Sequence, residues 1–227
     1  MKKNLEVWMS MLLILIVLVC ASNIKRLTAT ALTDNTIIVI DAGHGGVDPG
    51  KVGVNNVLEK DLNLTIANLV KKNLEENNIT VVMTRDSDTG LYSETDTNKK
   101  VTDMRARCKL INDSECLFAV SIHQNSYSEE SVCGPQVFYY EGSIKGEVLA
   151  RTLQTQLIDS LNPSKIRQEK SNSSYYLLKN ATCPVVIVEC GFLSNWEEAT
   201  LLCDNAYQEK VAKAISDGII SYINNYQ

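Results

Sequence analysis

CLFAVSI, residues 116–122, is an almost unbroken apolar run. A strand with one wet face alternates apolar and polar residues, so this run predicts a strand covered on both faces, as in parallel sheets with crossover helices. The flanking sequence keeps that rhythm. Upstream, TIIVID (36–41) and ITVVMT (79–84) read as strands. Between them, residues 59–77 carry Leu62, Leu64, Ile66, Leu69, Val70 and Leu74 near a 3.6-residue period, and residues 101–112 read as a second helix. Downstream follow a strand at PQVFYY (135–140), a helix at 145–161, a short strand at 175–178, a strand at VVIVE (185–189) and a closing helix at 209–225. The expected fold is α/β: one domain with a mixed, mostly parallel sheet flanked by helices on both faces, of the phosphorylase/hydrolase-like kind.

The chain has 227 residues, 44% of them apolar and 22% charged, which suits one globular core. Twenty-two basic against 27 acidic residues give a net charge of −5. With no basic run interleaved with aromatics, a nucleic-acid surface is excluded.

Residues 1–31 differ from the rest. Lys2 and Lys3 precede an apolar run from Val7 to Ala21, and Ala29-Thr30-Ala31 offers a small-residue cleavage site. This layout predicts export, as a signal peptide or a retained membrane anchor, with one folded domain at 32–227. Of seven cysteines, six lie outside this segment. There is no C-x-x-C pair and the core is large, so they are expected to be mostly buried free thiols rather than a disulfide framework.

The two histidines of the chain both follow expected strands: His44 in IDAGHGGVDPG and His123 in AVSIHQNS. In open α/β sheets, ligands gather at the carboxyl ends of strands. Glu189 closes VVIVE at the same kind of position, and Glu59 opens a helix after a glycine-containing loop. Two imidazoles and a carboxylate make a common zinc set that leaves a place for water, and a second carboxylate then serves as base. The residues also admit plainer readings, a packed histidine or an acid at a helix N-terminus. Glu189 resists one, because a carboxylate after four Val/Ile residues is desolvated. The glycines around His44 do not have phosphate-loop spacing.

Four segments, IVIDAGHGGVDPG (38–50), LEKDLNL (58–64), VSIHQNS (120–126) and VIVECGFLSN (186–195), resemble the zinc-dependent N-acetylmuramoyl-L-alanine amidases of the Amidase_3 family, over about residues 36–224. The resemblance implies Zn²⁺ ligands at His44, Glu59 and His123, with Glu189 as the catalytic carboxylate. It also implies a peptidoglycan substrate, and in the hydrolysis expected from it the Gly45–Gly46 loop or Asn125 would supply oxyanion donors. Arg85 matches a family position, whereas Gln124 stands where the family usually has a small residue. The compact form with an N-terminal hydrophobic segment resembles the sporulation amidases of the CwlD type, which implies spore-cortex peptidoglycan, muramic-δ-lactam formation and a possible accessory protein of unknown identity.

Overall fold

A computed structural model describes residue 11 and residues 36–226; the expected targeting segment, and the domain boundary at residue 32, lie outside the described residues. Among the described residues, no helix is long and apolar enough to cross a membrane.

Six strands form one sheet: β1 (Ile37–Ala42), β2 (Thr80–Met83), β3 (Phe118–Asn125), β4 (Gln136–Tyr140), β5 (Lys170–Asn172) and β6 (Val185–Phe192). The order is β2-β1-β3-β6-β4-β5. Strands β2, β1, β3 and β6 run parallel, and β4 turns antiparallel against β6. The carboxyl ends of β1, β3 and β6 therefore share one edge. The sheet is mixed and mostly parallel, as expected.

The helices are α1 (Glu59–Glu75), α2 (Lys99–Asp113), α3 (Ile144–Leu161), α4 (Tyr176–Asn180), α5 (Trp196–Leu201) and α6 (Asn205–Tyr226). Period-two alternation sorts the strands between two layers. Ile38, Ile40, Val120, Ile122, Val186 and Val188 meet α1, α3 and α6 through residues such as Ile66, Leu153 and Ile215. Val39, Ala119, Val185 and Ile187 meet α2 and α4 through Ile111, Leu177 and Leu178. Asp41, Ser121, His123 and Glu189 continue that second register, so the polar residues at the carboxyl edge sit on the α2/α4 side.

The structure corrects several local expectations. Residues 175–178 enter helix α4 instead of forming a strand. Asn172 Oδ1 accepts the main-chain N–H groups of Ser174 and Tyr175, a turn that outweighs the strand preference of paired tyrosines. Pairing with β4 falls to the polar strand β5. Helix α5 was not expected, although Asn195 caps it by accepting Glu198 N. Strands β3 and β6 also run further than read, so His123 and Glu189 lie within strands rather than after or at the end of them.

Candidate metal centre

Three elements deliver three donors to one point. His44 leaves β1 in a left-handed conformation, φ 61°, unusual for a residue with a Cβ. His123 comes from β3, and Glu59 is the first residue of α1. One ligand atom from each lies within 4.8 Å of the others. Glu59 Oε2 is 3.2 Å from His44 Nε2, and Glu59 Oε1 is 3.0 Å from His123 Nδ1.

Each donor is held by other groups. Asp48 Oδ2 contacts His44 Nδ1 at 2.9 Å, and with the proton on Nδ1 the Nε2 lone pair faces the centre. The Glu59 carboxylate, only 2% exposed, accepts from Lys51 N, Gln124 N and Asn63 Nδ2. Gly43 makes room for an imidazole: a Cβ there would lie 2.3 Å from the His123 ring. Burial alone would raise Glu59, yet His123 and His44 outweigh it and hold its carboxyl far below the carboxylate range. Burial would likewise lower His123, but Glu59 lifts it to about 9. These side chains support one another's charge.

The donor set fits a zinc ion. Zinc takes imidazole nitrogen and carboxylate oxygen, three protein ligands being usual at catalytic sites. Tetrahedral arms of about 2.0–2.1 Å place neighbouring donors roughly 3.3 Å apart, close to the His44–Glu59 separation of 3.2 Å.

Glu189 stands beside the triad, in register with His123 across β3 and β6. It is 8% exposed, and its buried Oε2 has no hydrogen-bond partner. Burial, assisted by Glu59 and opposed by the histidines, pushes this carboxyl up to about 7. Two cavities meet here, each lined by His44, His123 and Glu189. One, about 240 Å³, is walled by Met104, Tyr175, Tyr176 and Ile187. The other, about 420 Å³, is polar, with Lys51, Lys100, Asn125 and Ser126.

The profile of the N-acetylmuramoyl-L-alanine amidase family matches residues 38–221. The chain belongs to this family. Among relatives of the amidase, the germination-specific N-acetylmuramoyl-L-alanine amidase of Bacillus subtilis is 42% identical over 82% of this chain and 79% of its own length. The solved CwlD amidase of Clostridioides difficile, in complex with the GerS lipoprotein, superposes with a TM-score of 0.80 at 36% identity, covering 83% of this chain and 98% of that one. An N-acetylmuramoyl-L-alanine amidase from Clostridium difficile 630 gives a TM-score of 0.76 at 29% identity, covering 86% of this chain and all of that one.

All four expected site residues of the amidase come together, but the Gly45–Gly46 loop does not supply free donors. Gly45 N donates to Asp48 O at 3.0 Å and Gly46 N to Asp88 Oδ1 at 2.9 Å. Asn125 does line the polar cavity. Gln124 turns inward, its Nε2 donating to Asn63 Oδ1.

Of the support beneath His44, the sequence reading had Arg85 but missed Arg107. Arg107 on α2 pairs with Asp41 at 2.7 Å and Asp103 at 2.5 Å, and also donates to Ala42 O and His44 O. Arg85 donates to Ala42 O and Gly43 O. Two guanidiniums thus grip three successive carbonyls of the loop. The available signal was Asp41, an acid inside an otherwise apolar strand, which demands a buried partner.

Proposed function

We propose that the amidase holds one Zn²⁺ through His44, Glu59 and His123 and uses Glu189 to hydrolyse the amide between N-acetylmuramic acid and the L-alanine of the stem peptide. The observation that carries this reading is the convergence of two imidazole nitrogens and a carboxylate oxygen within 4.8 Å, beside a buried carboxylate oxygen with no partner. When bound, zinc supplies Lewis-acid polarisation of the lactyl carbonyl and activation of a water. Glu189 Oε2 takes the proton of the attacking water and then delivers it to the departing alanine nitrogen. A carboxyl near 7 suits both steps, since it gains and loses a proton easily at neutral pH. Asp48 keeps His44 in the tautomer that presents Nε2. Asn125, in the polar cavity, is the remaining candidate to stabilise the oxyanion.

We further infer that the substrate is spore-cortex peptidoglycan, whose cleavage leads to muramic-δ-lactam. The similarity to a germination-specific amidase and to CwlD supports this. Residues 1–31 direct export and membrane association, on the Lys2-Lys3 and apolar-run layout. An accessory protein fits the same reading, as that CwlD was solved with a lipoprotein. Metal analysis tests the ligand set: His123→Ala should lose stoichiometric zinc, and its retention with full activity would refute the assignment. Deletion of the gene should leave cortex lacking muramic-δ-lactam, while an unchanged cortex would refute the spore role.

A further inference from the structure

Far from the metal centre, Cys116 Sγ and Cys183 Sγ approach to 3.2 Å, closer than two sulfur atoms in ordinary van der Waals contact. The pair sits where the chain enters the two strands that deliver His123 and Glu189. Cys116 lies two residues ahead of β3, and Cys183 two residues ahead of β6. The segments are locked in register there: Ala119 N donates to Pro184 O, and Ala119 pairs with Val185. The sulfurs are thus brought together by the sheet itself.

The neighbouring thiols are differently placed. Cys108 and Cys190 are buried, but Cys108 Sγ accepts from Asn112 Nδ2 and Cys190 Sγ donates to Val188 O rather than meeting another sulfur. Cys203 is exposed, and Cys133 contacts Ser164 Oγ rather than another sulfur. A thiolate metal site is not indicated: among the described residues, the group of three or more such ligand atoms within reach is the one at His44, Glu59 and His123. Access is available as well. Cys116 is buried, but Cys183 is partly exposed and lines a surface cavity of about 550 Å³ with Tyr140, Lys145, Leu178 and Lys179.

We propose that Cys116 and Cys183 are a disulfide-forming pair that staples β3 to β6 at the end remote from the catalytic edge. The co-reactant is an external disulfide, either that of a thiol–disulfide oxidoreductase or an oxidised low-mass thiol. The Cys183 thiolate attacks one sulfur of that disulfide, forming a mixed disulfide and releasing the first external thiol. The Cys116 thiolate then attacks Cys183 Sγ, closing the protein S–S bond and releasing the second external thiol. Two electrons pass to the external disulfide, and the two protein thiol protons end on its two thiols. The bond spans 67 residues of sequence. Restricting the unfolded chain over a loop of that length should raise Tm by roughly 10 °C. The active site, at the other end of both strands, should keep its kcat.

The test uses the full chain equilibrated with oxidised and reduced glutathione, quenched with an alkylating reagent under denaturing conditions and digested without reduction. The expected result is one linked peptide pair, Cys116–Cys183, with Cys20, Cys108, Cys133, Cys190 and Cys203 alkylated. Adding reductant should lower Tm in the parent chain but not in Cys183→Ser or Cys183→Ala, and kcat should be the same in both redox states. Alkylation of both Cys116 and Cys183 after oxidation would overturn the proposal, as would linkage of either to another cysteine or an undiminished reductant response in both variants.

Discussion

Arg107 Nη2 donates to the main-chain oxygen of His44 at 2.5 Å, so a guanidinium on α2 fixes the backbone of a residue 63 positions earlier. The same group pairs with Asp41 and Asp103, and all three carry little exposure. Replacing it removes the counter-charge of two buried carboxylates and a donor to the strained His44 loop. Arg107→Gln should therefore cost about 3–5 kcal/mol of stability, the usual effect of breaking a buried pair. Denaturant unfolding checks this. Arg107→Lys should recover part of the loss, because it restores charge without the fork that reaches several acceptors.

Acid should expose the other half of this pair. Burial would raise Asp41, but Arg107, Ser121, His123 and Thr84 together hold it at about 2, against an ordinary 3.8. A lowered folded value means that the stabilisation is present above the unfolded value and lost as pH falls towards the folded one. The loss should fall between about pH 4 and pH 2 and amount to roughly 2 kcal/mol. Urea midpoints across that range should decline more steeply for the parent chain than for Asp41→Asn. Equal slopes would show that Asp41 does not contribute.

Asp48 touches His44 Nδ1 and is also paired with Lys100 at 2.7 Å. Its carboxylate orients the imidazole, an effect worth about 10–100-fold in metal affinity when lost. Competition with a calibrated chelator should show that drop for Asp48→Ala with little change in Tm, because Asp48 is partly exposed. Unaltered zinc affinity would mean that His44 is oriented by its backbone alone.

The buried apolar runs made the parallel part of the fold legible: β1, β3 and β6 are unbroken or nearly so because helices cover both faces. Glu189 was legible for the complementary reason, as a carboxylate at the end of such a run has few uses other than chemistry. The Arg107–Asp41 pair was not, since the partners stand 66 residues apart and only the packing of α2 on the sheet brings them together. The turn at Asn172 hid for a different reason. It depends on one side-chain oxygen accepting two main-chain N–H groups, and that competes locally with the strand preference of the tyrosines after it.

Glu189 joins these strands to the proposed chemistry. Glu189→Gln keeps size and hydrogen-bonding capacity but cannot accept the proton, so zinc content should hold while turnover falls by about 10²–10⁴-fold. Parallel loss of zinc would instead place Glu189 among the ligands and leave Glu59 as the candidate base.

The most direct test of the whole account is mass spectrometry of purified cortex peptidoglycan after incubation with the zinc-loaded amidase and, in parallel, with Glu189→Gln. The expected products are free stem peptides beginning with L-alanine and intact glycan strands, absent or nearly so from the variant. Stem peptides shortened at their carboxyl ends but still attached to glycan would contradict the account in favour of a carboxypeptidase, and no released product from the parent chain would mark it as a binding module.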